Sequence, residues 1–406
     1  MHFGAIADDF TGATDLATAL RERGLRTAVV IGGNDIPRGH DAVVVALKSR
    51  TAPVAAAVSD SLAAAQRLVD AGAERLYVKY CSTFDSTDEG NIGPVLDAIV
   101  EMAGADRTLV VPSFPANGRT VRDGTLFVHG TALEHSSMRH HPLTPMTKSR
   151  LRDILAPQTA ADLTEIALDT VRAGADTLRE AIDEAPPGYL IVDAETEHDL
   201  AVIAAASAHL RVLSGGAALA AHLDAPADTT RLALPPVGPN RLVVCGSASA
   251  ATRTQIAHAV DRGATLRRVD LDAAVSAPAA EIATLAAWVR SRPQTDLPLL
   301  SSVTELTDIR RDTAATAAAV EHVLSEVVAE LVSTGDLQRV VVAGGETSGA
   351  VVKALGISVL EIGTQLAPGV CWSAGETASG ATVALVLKSG NFGGTDLFTA
   401  AWEALA

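Results

Sequence analysis

Val341-Val342-Ala343-Gly344-Gly345-Glu346-Thr347-Ser348-Gly349 is an apolar strand-like run that passes without a spacer into a glycine-rich turn carrying hydroxyls. The same design recurs at Val243-Val244-Cys245-Gly246-Ser247-Ala248-Ser249 and at Leu387-Lys388-Ser389-Gly390-Asn391-Phe392-Gly393-Gly394. Glycine directly after a strand lets backbone N–H groups converge on an anion, and a helix that begins there adds its positive end. Any tight strand-to-helix connection favours glycine, so one such turn says little. Three of them in one C-terminal block, each with Ser or Thr, point to phosphate binding and hence to a nucleotide-binding domain.

Outward from these turns, short β-branched runs alternate with Ala-rich helical stretches over most of the chain, the pattern of a parallel sheet covered by helices. Strands are predicted at His2–Ala7, Thr27–Ile31, Ala42–Ala46, Leu76–Lys79, Thr108–Val111 and Tyr189–Val192 in the first half, with helices such as Ala13–Arg23, Val54–Ala71 and Gly93–Met102 between them. Pro226, Pro235, Pro236 and Pro239 interrupt the segment from Asp224 to Asn240 and mark a domain boundary. Alternation resumes with strands at Arg241–Cys245, Leu266–Val269, Leu297–Leu300, Arg339–Ala343 and Val383–Leu387 and a long helix at Thr313–Ser333. The expectation is an α/β protein of two domains, residues 1–235 and 240–406, each with a mainly parallel sheet flanked by helices. At 406 residues the chain also exceeds what a single core usually supports.

Composition narrows the function. A net charge of −16 argues against a nucleic-acid or anionic-membrane partner, because both need a basic face, and only 3% aromatic residues argues against stacking platforms for single strands. No run of about 20 apolar residues occurs. Met1-His2-Phe3-Gly4-Ala5-Ile6 leads straight into a strand with no basic leader, so a cytoplasmic protein is expected. Cys81, Cys245 and Cys371 are odd in number and widely spaced, which indicates neither a disulfide framework nor a cysteine metal site. A homodimer is admitted by the sequence but not required by it.

The first half carries its own polar positions. Asp8 and Asp9 stand where the first strand gives way to a helix, the usual place for ligand contacts in an open α/β sheet. Capping by Asp9 or Thr11 accounts for one of the two carboxylates; a general base or a magnesium contact would account for the other. Lys79-Tyr80-Cys81-Ser82-Thr83-Phe84-Asp85-Ser86-Thr87 follows another strand, and its hydroxyls, with Lys79 and Asp85, suit a polyol bearing a carboxylate, although a polar Ser/Thr-rich turn reads the same way. Arg119, in the turn Pro115-Ala116-Asn117-Gly118-Arg119-Thr120, could grip a carboxylate through two parallel hydrogen bonds. Met138-Arg139-His140-His141-Pro142-Leu143-Thr144-Pro145-Met146 reads as a rigid loop over a ligand, and its adjacent histidines lack zinc spacing.

Taken together, these motifs and Gly90-Asn91-Ile92-Gly93-Pro94-Val95 closely resemble the four-carbon acid sugar kinase family over nearly the whole chain. The resemblance implies an N-terminal domain for the acid sugar and a C-terminal domain for ATP, with Ser247, Gly344, Gly345, Glu346, Thr347 and Gly390 matching the nucleotide contacts. Members acting on threonate or erythronate carry an arginine shortly after Asp-Ser-Thr. Here Asp88-Glu89-Gly90-Asn91 stands instead, which favours the 3-oxo-tetronate branch. Cys371, where proline is common, and Leu397, where phenylalanine is common, are apolar departures beside the motifs.

The implied reaction is ATP-dependent phosphorylation of the terminal 4-hydroxyl of a 3-oxo-tetronate, with Mg2+ on the phosphates and no separate protein metal site. Asp8, then Asp85, is expected to orient the hydroxyl, and Asp9, Lys79, Ser82, Arg119, Arg139 and His140 to bind the acid. Closure of the two domains to exclude water is expected to accompany transfer. The alternatives are a D-threonate, D-erythronate or L-threonate kinase of the same family and a non-catalytic sugar-acid sensor. Retention of both the Gly344–Gly349 and Lys388–Gly393 turns argues against the sensor.

Overall fold

The computed structural model describes residues 1–140, 144–224, 234–303 and 313–405, without the side chains of residues 140, 313 and 314. Two compact units result, Met1–Arg231 and Leu232–Ala406. The fold is α/β, as the alternation predicts, and each unit is built on a mainly parallel sheet.

In the first unit, β1 (Phe3–Ala7), β2 (Thr27–Ile31), β3 (Ala42–Ala46) and β4 (Arg75–Lys79) are short runs buried almost throughout, as parallel strands covered on both faces must be. They pair in parallel in the order β4-β1-β3-β2. Register sets the site: Ala7 lies opposite Ala46 on one side and Lys79 on the other, so the segments leaving β1, β3 and β4 emerge at one edge. A second parallel sheet holds β5 (Arg107–Val110), and β6 (Arg119–Arg122), β7 (Thr125–Val128) and β8 (Thr131–Ala132) form an antiparallel ribbon. Then come β9 (Asp162–Ile166), β10 (Gly188–Val192) and β11 (Val212–Gly215); β5-β10-β9 complete the second sheet, and β11 extends the first beside β4.

The second unit contains β12 (Arg241–Cys245), β13 (Thr265–Arg268), β14 (Pro298–Ser301), β15 (Arg339–Ala343), β16 (Val359–Ala367), β17 (Val370–Glu376) and β18 (Thr382–Lys388), in the order β16-β17-β18-β15-β12-β14-β13. β18, β15 and β12 are adjacent and parallel, so all three glycine-rich turns leave the same edge. Among the described residues, only β16 and β17 add antiparallel pairings. Trp372 on β17 is the largest fully buried side chain; its indole N–H donates to the Ala401 carbonyl (2.8 Å), tying the C-terminal segment to the sheet.

The sequence reading places no strands at β6 to β9, β11, β16 or β17. Arg119 therefore opens a strand rather than sitting in the turn to which it was assigned. The signal was present in part: Asp123-Gly124 and His129-Gly130 each pair two residues of positive φ, the tight turns of right-twisted hairpins.

Candidate functional site

Asp8 and Asp9 follow β1 directly. Asp9 caps the helix Phe10–Glu22, its Oδ1 accepting from the Gly12 N–H at 2.7 Å, which is the ordinary use of aspartate at that position. Asp8 has a different partner, one that the sequence reading did not select. Its carbonyl accepts from the N–H groups of Ser49 and Arg50 (3.0 and 3.1 Å), which brings the segment after β3 alongside. Arg50 then turns its guanidinium onto the Asp8 carboxylate, with Nε to Oδ2 and Nη2 to Oδ1 both at 2.9 Å. The third nitrogen, Nη1, lies 3.0 Å from Asp9 Oδ2 and 4.0 Å from Asp85 Oδ2. One arginine thus joins three carboxylates, using the fork geometry that lysine lacks.

Asn91 fixes that arginine in turn. Its amide donates to the carbonyls of Ser49 (2.7 Å), Arg50 (3.2 Å) and Ala52 (2.9 Å), while its own Oδ1 is buried without a partner. Lys79, at the end of β4, is buried and donates to the Tyr80 carbonyl at 2.9 Å. A Cβ at Gly12 would stand 3.2 Å from its Nζ, so the absence of a side chain there lets the ammonium reach the carboxylate end of the helix. In the turn that follows, Thr83 Oγ1 donates to Asp85 Oδ1 at 2.6 Å. Phe84 holds this turn with a left-handed backbone (φ 52°), strained for an aromatic residue, and stacks edge-on against Tyr80 at 5.1 Å. Burial pushes the neighbouring Cys81 thiol up to about 12, so it is no nucleophile at neutral pH.

The carboxylates differ in environment. Burial holds Asp8 above the ordinary value although Arg50 opposes it; Asp9 falls below its ordinary value because Arg50, Lys79 and the Gly12 N–H outweigh burial. Asp15, one turn into the helix, is pushed up to about 6 by burial, against the pull of Lys79. A cavity of about 30 Å³, room for one or two water-sized groups, lies among Ile6, Arg50, Lys79, Asp85, Asn91 and Val95.

The other predicted acid-binding residues divide. Arg119 belongs near this cluster: burial holds it below its ordinary value against the pull of Asp85, its Nη1 donates to the Asn117 carbonyl, and its buried Nε has no partner, nor has Asn117 Nδ2. Ser82 is half-buried on the Lys79 turn. Arg139 is exposed and donates to the Glu134 carbonyl (3.3 Å), and the side chain of His140 and residues 141–143 lie outside the described residues. Glu89 lines a separate cavity of about 370 Å³ with Met146 and Lys148.

In the second unit the predicted nucleotide residues converge. A Cβ on Gly390 would stand 2.3 Å from Ser247 Oγ, one on Gly246 2.1 Å from Thr347 Oγ1, and one on Gly344 3.3 Å from the Ser247 N. Gly344 adopts φ 131°, which glycine alone tolerates easily, and starts the helix Gly345–Ala354, whose first residues Gly345 and Glu346 are exposed. Ser348 Oγ is buried without a partner on the same turn.

Two outcomes follow from the charges. Arg50→Met should lower the unfolding free energy by about 3 kcal/mol at pH 7 in urea titration, the low end of the range for a broken buried pair, because three carboxylates lose their cation. Arg50→Lys should recover only part of it, and an unchanged Arg50→Met would contradict the clamp. Asp15 takes up its proton near pH 6 when folded and near 3.8 when unfolded. Its contribution to stability is therefore fully present below pH 3.8 and is lost as the pH rises through 6. Asp15→Asn should be more stable than the native chain by about 2–3 kcal/mol at pH 8, with the gap closing at pH 4.

A family model described as a sugar-binding N-terminal domain matches residues 3–223, and one described as a nucleotide-binding C-terminal domain matches residues 242–398. The 3-oxo-tetronate kinase of Pseudomonas fluorescens is 43% identical, with 99% of this chain and 97% of the relative covered. That of Escherichia coli is 38% identical, with 90% and 98% covered. A solved structure from Salmonella typhimurium LT2 superimposes with a TM-score of 0.88 at 37% identity, covering 98% of each chain, and one from Haemophilus influenzae with 0.81 at 34%, covering 99% and 100%. Likeness at this level along the whole length means that the chain belongs to the four-carbon acid sugar kinase family, on its 3-oxo-tetronate kinase branch.

Proposed function

We propose that the chain is a 3-oxo-tetronate kinase that transfers the terminal phosphoryl group of ATP to the 4-hydroxyl of its substrate. The observation that carries the reading is the full-length likeness to 3-oxo-tetronate kinases of several bacteria. We assign the acid sugar to residues 1–235 and the nucleotide to residues 240–406. No helix among the described residues is long and apolar enough to cross a membrane, and we place the reaction in the cytoplasm, where ATP is supplied.

The second unit fits a nucleotide. Ser247, Gly344, Thr347 and Gly390 meet where side chains at the glycines would close the space, the buried Ser348 hydroxyl lacks a partner, and the helix at Gly345 presents its first N–H groups. Glu346 and Gly345 complete that turn. When bound, ATP supplies the transferable phosphoryl group, and Mg2+ on its phosphates offsets their charge.

In the first unit, the unpartnered donors of Arg119 and Asn117 suit the carboxylate of a sugar acid, and Lys79 and Ser82 suit its hydroxyl and carbonyl oxygens. Arg139 and His140 remain assigned to the acid as residues of the neighbouring loop. Asp8 and Asp85 are the carboxylates for the 4-hydroxyl. Both Asp8 oxygens are taken by Arg50, whereas Asp85 Oδ2 stands 4.0 Å from Arg50 Nη1 and has the freer lone pairs. Asp9 shapes the site as the helix cap.

ADP formation, followed with 3-oxo-tetronates, D-threonate, D-erythronate and L-threonate, tests the substrate assignment. The 3-oxo acid should give kcat/KM far above the others; preference for a threonate would move the chain to another branch of the family, and turnover of none would leave a sensor. Asp8→Asn and Asp85→Asn divide the chemistry. Loss of the base should lower kcat by about 10²–10⁴ while ADP binding is kept. A loss confined to Asp85→Asn would make Asp8 a positioning group, and normal turnover in both would remove carboxylate catalysis.

A further inference from the structure

Lys388 lies at the end of β18, its side chain fully buried, beside the Gly390 turn assigned to the nucleotide but with no role of its own so far. Its ammonium donates to the Gly390 carbonyl at 3.0 Å and to Thr252 Oγ1 at 3.1 Å. The same carbonyl accepts from Ser249 Oγ at 2.6 Å and from Thr252 Oγ1 at 2.9 Å. Three donors therefore meet one peptide oxygen. Thr252 and Lys388 are both wholly buried, so the oxygen faces the interior. The 390–391 peptide is trans, which sends the N–H of Asn391 to the opposite side, and Asn391 itself is exposed. Gly390 Cα meanwhile packs against the Ser247 hydroxyl so closely that no Cβ could be added.

We propose that Lys388 is a positioning residue for the nucleotide: it draws the Gly390 carbonyl inward and thereby presents the Asn391 N–H to a nucleotide phosphate. The inference rests on the nucleotide assignment above and adds to it the amide that makes the contact and the buried cation that aims it. A buried ammonium among neutral groups carries a second consequence. Burial pulls Lys388 down to about 8. Cys245 of β12 is the titratable group that faces it, and its thiol, pushed up to about 12 by burial, stays neutral over the same range; the ring of Phe398 lies 5.9 Å from Nζ. The remaining donors to the Gly390 carbonyl, Ser249 and Thr252, do not titrate. As the pH rises through 8 the ammonium loses its proton, its bond to the carbonyl weakens, and the turn is held less firmly. Nucleotide affinity should therefore fall on the alkaline side, where the phosphates of ADP no longer change charge.

Calorimetric binding of ADP to the full chain from pH 7 to 9.5 tests this, with Lys388→Met as the variant that fills the space without the charge. The native chain should bind ADP at pH 7 and lose about tenfold in affinity by pH 9.5, on the scale of a charge-assisted hydrogen bond. Lys388→Met should bind about tenfold more weakly at pH 7 and show no further loss with pH; a residue that merely supported the fold would lower the melting temperature without flattening this profile. Lys388→Met binding within twofold of native, or keeping the native pH slope, would overturn the proposal. If Lys388→Met does not fold, the native profile alone decides, and a flat one overturns it. A native chain that does not bind ADP at all would instead bring down the nucleotide assignment beneath it.

Discussion

The pairing of Arg50 with Asp8, Asp9 and Asp85 is the constraint around which the first unit is arranged. Carboxylates brought this close together repel and, when half-buried, tend to keep their protons; a cation with three directed nitrogens allows them to coexist. The fold provides that cation through register. Because Ala46 and Lys79 both stand opposite Ala7, the chain leaving β3 and β4 arrives beside Asp8, and Asn91 holds the arginine-bearing segment by three carbonyls. The charges do not contribute chiefly to stability, since ion pairs of this kind often roughly cancel their desolvation cost. In the proposed function their role is to hold a polar surface for the acid sugar.

The second unit solves a related problem by the opposite means. Under the proposed nucleotide assignment an anion is met there mainly by backbone, at the ends of three adjacent parallel strands, and glycine occurs at points where a side chain would close the space. Backbone donors work only if their peptide planes are fixed. The hydroxyls of Ser249 and of the buried Thr252, with the Lys388 ammonium, fix one of them, so a motif that reads as flexible glycine is held from beneath by polar groups.

The α/β class was legible because apolar parallel strands and Ala-rich helices have plain periodicities, and β2, β3 and β15 fall where the sequence places them. β6 to β8 were not, because short half-exposed hairpin strands carry little hydrophobic pattern, although Asp123-Gly124 and His129-Gly130 marked their turns. In the site, Asp8, Lys79 and Asp85 stood out as polar residues at a strand end or in the turn that follows one. Arg50 obeys the same rule after Ala42–Ala46 and was overlooked because Leu47-Lys48-Ser49-Arg50 has no glycine or paired acid to draw notice. Asp15 and the partners of Lys388 are legible only in three dimensions, since burial and a contact across the sheet give them their character.

The central claim is that this polar surface directs phosphoryl transfer to the terminal hydroxyl of a 3-oxo-tetronate. Phosphorus NMR of the reaction with ATP reads the position of transfer directly, without hydrogen decoupling. Transfer to the 4-hydroxyl predicts ADP and one new phosphomonoester signal split into a triplet by the two protons on C4. A doublet, from the single proton on C2, or ADP accompanied only by inorganic phosphate would contradict the account.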